Sequence, residues 1–181
     1  MKVTLVLVTS VNGKLTEGDN TNIYKWTSKE DQQYFFSLIE KSRAIIMGRK
    51  TYEAAKHKIK LVPGKLRIIL TKNPIKYTNI TGQLEFSSEQ PKKIIDRLRK
   101  ENYREVLIVG GNSVAASFLN AKLIDTISLT LEPYLFGRGI HFLDKEISAV
   151  KLILFRVKKL NNRGTLLLQY KINRLELKSF F

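Results

Sequence analysis

The sequence predicts an α/β protein: three layers, with a central mixed, mostly parallel sheet of about eight strands, flanking helices and an antiparallel hairpin at the C-terminus. Three observations predict it. Short apolar runs alternate with segments of helical period in the order β-α-β-α-β-β-α-β-α-β-β-β. Two strand-to-helix junctions carry glycine, at Gly48 and at Gly110-Gly111. The last two apolar runs are joined across Asn161-Asn162-Arg163-Gly164, as in a hairpin. A chain of 181 residues is long enough for a real core and is expected to form one domain over residues 1–181.

Residues 2–9 read as a first buried strand, and Val11-Asn12-Gly13-Lys14 as a turn. Residues 13–25 look like a polar, mobile loop that ends at Trp26, the only tryptophan. Such a loop suits a lid beside a site, or is simply a connection. A helix over about 28–42 follows, with Thr27 or Ser28 as its N-cap and Glu30 or Asp31 three residues on. Tyr34, Phe35, Leu38 and Ile39 repeat at helical spacing, and Asp31 falls on their stripe, four residues before Phe35. A carboxylate there faces the core or a cleft; an acid favouring the helix dipole would occupy the same position.

Residues 44–47 form a short apolar strand, and Gly48 turns it into a helix over about 50–57. Free N–H groups at a helix start attract phosphate, and Arg49 and Lys50 add charge. An ordinary strand-to-helix connection with solvated basic residues fits as well. Strands over 67–71 and about 84–86 precede a helix opened by Pro91, in which Ile94, Ile95 and Leu98 share a face. The strand 105–109 runs into Gly110-Gly111 and a helix with Val114, Phe118 and Leu119 inward. Residues 126–132 alternate, with Ile127, Leu129 and Leu131 on one face and Thr126, Ser128, Thr130 and Glu132 on the other. Strands near 150–159 and 165–174 close the chain.

The net charge of +16 favours anionic partners. Residues 151–181 hold eight Lys or Arg against one Glu, without stacking aromatics or a nucleic-acid motif. A solvated edge guarded by lysines explains that tail better than a nucleic-acid footprint. The chain has no cysteine, which excludes disulfides, thiolate catalysis and Cys-based zinc sites, and fits a reducing, cytoplasmic compartment. No apolar run approaches a membrane span. His57 and His141 lack partners at metal or triad spacing, so no metal site is expected. Monomer and homodimer both stay open.

Trp26, Asp31 five residues on and Phe35 four after that, then Met47-Gly48-Arg49-Lys50-Thr51-Tyr52-Glu53, Pro63-Gly64-Lys65, Ile68-Ile69-Leu70-Thr71, Val109-Gly110-Gly111 and Leu129-Thr130, resemble the dihydrofolate reductase family. The likeness covers residues 2 to about 136. Phe118-Leu119, Leu123-Ile124-Asp125 and the run from Glu132-Pro133 to Gly139 are similar to the related reductase domain of riboflavin biosynthesis. Both groups share one fold and use NADPH.

The resemblance implies roles. Asp31 would anchor a pterin and favour protonation of its N5, with Trp26 positioning water and Thr130 hydrogen-bonding the acid. Burial should raise the pKa of Asp31, while Thr130 steadies its ionised form. Val6, Val8, Phe35 and Lys65 would contact the substrate. Gly48, Arg49, Lys50 and Thr51, then Thr71 and Lys72, then Gly110, Gly111, Asn112, Ser113 and Val114 would hold NADPH. Three departures stand out. Lys65 occupies the place of the folate-tail arginine and cannot form its bidentate fork. The prolines expected before and just after Trp26 are missing, and Asn112 replaces a third glycine. Dihydrofolate is the first substrate expected, because riboflavin-type reductases generally lack an acid matched to Asp31. A ribosylaminopyrimidine phosphate, or another small heterocycle, is the alternative. A basic nucleic-acid-binding protein on a reductase fold is the distant third.

Overall fold

A computed structural model describes residues 1–143 and 146–173. The strands are β1 (Lys2–Ser10), β2 (Ala44–Gly48), β3 (Leu66–Leu70), β4 (Leu84–Ser87), β5 (Glu105–Val109), β6 (Thr126–Glu132), β7 (Leu152–Lys159) and β8 (Leu166–Ile172). The α-helices are α1 (Lys29–Lys41), α2 (Arg49–Ala55), α3 (Pro91–Lys100) and α4 (Asn112–Asn120). These strands form one eight-stranded sheet in the order β4-β3-β2-β5-β1-β6-β8-β7. Pairing is parallel from β4 to β6, and β8 and β7 add antiparallel. The predicted mixed α/β sheet with a terminal hairpin is the fold observed.

Each face of the sheet carries a core. On one, Val3, Leu5 and Leu7 of β1 join Ile46, Ile68 and Ile108 under α3 and α4. Ile94, Ile95 and Leu98 of α3 are fully buried, which stabilises the fold by roughly 2 kcal/mol per side chain. On the other face, Val6, Ile45, Met47, Ile69, Phe86, Leu107 and Val109 pack against Phe35, Leu38 and Ile39 of α1 and Tyr52 of α2. That face carries the candidate site.

Several boundaries differ from expectation. The helix after Gly48 starts one residue early and ends at Ala55, where the chain tightens into a 3-10 turn over Lys56–Lys58. Such a turn satisfies carbonyls left unpaired at a helix end. The expected loop 13–25 contains a 3-10 turn, Ile23–Lys25, and is laced to the segment after β6. Leu15 N donates to Ile140 O at 2.7 Å, Gly18 N to Arg138 O at 3.1 Å, and Phe142 N to Gly13 O at 2.9 Å. Gly139 is required there: a Cβ at that position would lie 2.0 Å from Thr16 O. Among the described residues β7 pairs with β8 alone, and its residues are exposed throughout. β8 ends at Ile172; the remainder of the basic tail, 174–181, lies outside the described residues.

Candidate active site

Helix α1 delivers Asp31. Ser28 is its N-cap and accepts the Asp31 amide at 3.2 Å, one half of a capping box. Asp31 is the one residue of α1 that is buried, at 6% exposure. The apolar residues of this helix are half-buried or, at Phe36, exposed, so polar contacts help to seat it. Tyr34 Oη lies 2.8 Å from Ser128 Oγ, the Thr130 hydroxyl bonds the Asp31 carboxyl, and Ser28 N donates to Glu132 Oε1 at 2.6 Å. Helix positions 34, 31 and 28 thus meet strand positions 128, 130 and 132. Steps of three along a helix and two along a strand each preserve a face. The polar side of β6, whose alternation alone would suit a half-exposed strand, is therefore buried under α1.

Burial raises the pKa of Asp31 to about 6. The Thr130 hydrogen bond pulls it down, and the negative charge of Glu132 pushes it up. Trp26 is buried at 5% exposure, with its ring edge-on to Phe136 at 5.2 Å. Its Nε1 finds no acceptor among the described residues. Val8 pairs with Thr130, and Val6 with Ser128, so both valines lie on the Asp31 side of the sheet. Phe35 packs on the core of the same face.

A cleft of about 430 Å³ opens at the carboxyl ends of β2, β3 and β5. Gly48, Arg49, Lys50, Thr51, Thr71, Lys72, Gly111, Asn112, Ser113 and Val114 line it, joined by Leu70 and Asn73. Gly110, expected beside them, is not part of the lining. The two glycine bends touch: a Cβ on Gly110 would lie 3.0 Å from Thr51 Cγ2, and one on Gly48 3.1 Å from Val114 Cγ2. Gly110 and Gly111 have φ of +65° and +80°, so the bend is also closed to most side chains by its backbone. Arg49 is not a free cation, since its Nη1 lies 2.6 Å from Glu53 Oε2. In register, Val6 pairs with Val109 on one side and Ser128 on the other. Thr130 is thus level with the Gly110-Gly111 bend, two strand spacings away, roughly 10 Å. The acid and the cleft share one end of the sheet, as open α/β sheets favour.

Lys65 Nζ donates to Ile39 O and Glu40 O, both at 2.8 Å, and so neutralises the C-terminal end of α1. Sequence spacing missed three polar residues here. Arg67, on β3, is buried at 5% exposure with Nη1 unpartnered among the described residues; partial burial of Lys65 and, after it, the Arg67 charge lower the pKa of Lys65. Glu132 is buried at 2% exposure, and Tyr34 bridges α1 to β6. Glu132 had one legible signal, since it follows Thr130 by two residues on the same strand face. His57 and His141 are exposed, and His141 lies 2.6 Å from Lys14 Nζ. Among the described residues no His, Asp or Glu cluster could hold a metal ion, and no helix is long and apolar enough to cross a membrane.

A sheet of this order is the dihydrofolate reductase-like fold, shared with the solved structures below. The sequence profile of the RibD C-terminal domain matches residues 1–166, and the chain belongs to that family of oxidoreductases. A dihydrofolate reductase of Aedes albopictus is 29% identical over 138 residues, 71% of this chain and 72% of the relative. Among solved structures, a putative riboflavin biosynthesis protein of Shewanella sp. PV-4 superposes with a TM-score of 0.77 at 19% identity, over 96% of this chain and all of that one. The dihydrofolate reductase of Enterococcus faecalis gives 0.66 at 20% identity, over 95% of this chain and 96% of its own.

Proposed function

We propose that this protein is an NADPH-dependent reductase of a dihydropterin, converting 7,8-dihydrofolate to tetrahydrofolate. The observation that carries the reading is Asp31: an enclosed acid, hydrogen-bonded by Thr130, with a pKa of about 6. A carboxyl that titrates near neutrality both anchors a nitrogen-rich ring and passes on a proton.

The cleft residues fit the cofactor. Gly110 and Gly111 let Thr51 pack against their bend at the edge of the cleft, and Arg49, Lys50 and Lys72 supply positive charge along the lining. Thr51 and Thr71 add hydroxyls, and Asn112, Ser113 and Val114 form the first turn of α4. When bound, NADPH supplies the hydride that reduces C6 of the pterin. The protein's part is orientation and proton supply. Asp31 accepts hydrogen bonds from the ring's N3 and 2-amino group. It also draws a proton toward N5, which completes reduction of the N5=C6 bond. Val6, Val8 and Phe35 form an apolar wall that excludes water, and Trp26, whose buried Nε1–H has no acceptor among the described residues, would position a water near Asp31. Lys65, with one N–H left after its two helix carbonyls, and Arg67, whose Nη1 has no partner among the described residues, make a cationic spot for the substrate's acidic group.

A second reading is reduction of a ribosylaminopyrimidine phosphate. The family match and the higher TM-score of the riboflavin-type neighbour favour it. NADPH oxidation followed separately with dihydrofolate and with the pyrimidine phosphate distinguishes the two. Turnover of dihydrofolate, lost in Asp31→Asn with NADPH affinity retained, is the expected result. Turnover of the pyrimidine phosphate alone would overturn the first reading.

A further inference from the structure

Glu132 is a carboxylate enclosed by protein, and the reduction described above makes no use of it. Both its oxygens are occupied: Oε1 accepts the Ser28 amide at 2.6 Å, and Oε2 the Thr165 hydroxyl at 2.7 Å. Asn161 sets the direction of the second bond. Asn161 Oδ1 accepts from the Arg163 and Thr165 amides at 3.0 and 3.2 Å, which makes Nδ2 the donor end. That Nδ2 donates to Thr165 Oγ1 at 2.9 Å and to Glu30 Oε2 at 3.1 Å. The Thr165 hydroxyl accepts from Asn161, so its own proton goes to Glu132. Donors on both oxygens suit an ionised carboxylate.

A single residue, Ser28, stands between this acid and Asp31. Its amide is held by Glu132, and its Oγ receives the Asp31 amide. Thr130, two residues before Glu132 on the same strand face, bonds the Asp31 carboxyl. We propose that Glu132 is a positioning residue for Asp31, pinning the first turn of α1 through Ser28 and presenting a fixed negative charge to the acid. The role rests on Asp31 as the proton-handling group. Like charge disfavours ionisation of a neighbour, and among the described residues Glu132 is the charged group that acts on Asp31. Glu30 is turned to Asn161 and Arg163, and Lys29 acts on Glu30 instead. From β1 the facing residues are Val8 and Ser10, and from β8 Leu167 and Gln169, none ionisable. The β7–β8 turn, which carries Asn161 and Thr165, is thereby tied to the first turn of α1 at two acids.

Carboxyl ¹³C NMR titration of the ligand-free full chain tests this without substrate. Glu132→Gln should shift the Asp31 midpoint to lower pH. Thr165→Val removes a hydroxyl but keeps the charge, and should leave Asp31 near its wild-type midpoint. In the wild type, the Glu132 signal should show an inflection at the Asp31 midpoint, because coupled groups report each other's titration. An unmoved Asp31 in Glu132→Gln overturns the proposal. So does an equal fall in both variants, or a wild-type Glu132 signal blind to Asp31. The pH–rate profile should move with the NMR midpoint. If the midpoint moves while neither substrate is turned over, the positioning role stands and the assigned reaction falls.

Discussion

Asp31 works against the stability of its own fold at neutral pH. Its folded pKa of about 6 lies above its ordinary 3.8. Between those values the folded chain keeps a proton that the unfolded chain has released, so stability falls as pH rises through that window. Above it the penalty is complete, on the order of 3 kcal/mol for a shift of this size. Asp31→Asn should therefore stabilise the protein by roughly 1–3 kcal/mol at pH 7.5, with the gain gone by about pH 4. Urea denaturation at both pH values checks it; a variant less stable than wild type at pH 7.5 would contradict the buried-acid assignment. Stability surrendered at a functional group is the usual trade in active sites.

At the scale of elements, two glycine bends and one polar ladder build the site. The bend after β5 is tight around Gly110, where φ is +65° and Thr51 Cγ2 would be 3.0 Å from a Cβ and would have to shift. Gly110→Ala should cost about 1–2 kcal/mol, from left-handed backbone strain plus the displaced threonine. Because Thr51 lines the cleft, KM for NADPH should rise more than kcat falls. Thermal unfolding and steady-state kinetics measure the two effects; an unchanged KM would remove Thr51 from the cofactor's contacts. The ladder between α1 and β6 is the other device. It uses hydrogen bonds where other elements use aliphatic packing, and so holds a helix whose inward residue is an acid.

For the whole molecule, a net charge of +16 sets a field that draws anions to the cleft. Arg49, Lys50 and Lys72 concentrate it there, with Arg49 partly offset by Glu53. Raising ionic strength shortens the screening length from about 10 Å at 0.1 M to 3 Å at 1 M. KM for NADPH should therefore climb with salt, and more steeply than KM for NADH, which lacks the 2′-phosphate. Parallel titrations with both cofactors test it; equal slopes would argue that no cleft cation meets the 2′-phosphate.

By itself the sequence determined the element order, the placing of Asp31 on the apolar stripe of its helix and the two glycine bends; that the acid is buried there only the structure decided. Each of those three is a local property, written in spacings of two, three or four residues and in backbone freedom at glycine. Tertiary structure alone decided which polar groups share an enclosed space. The lacing of loop 13–25 to residues 138–142, the capture of Lys65 by the end of α1 and the meeting of Glu132 with Ser28 all join residues far apart in the chain. Those contacts follow from strand order, which sets β6 beside β1 beneath α1. No periodicity within one segment records its neighbour across the sheet.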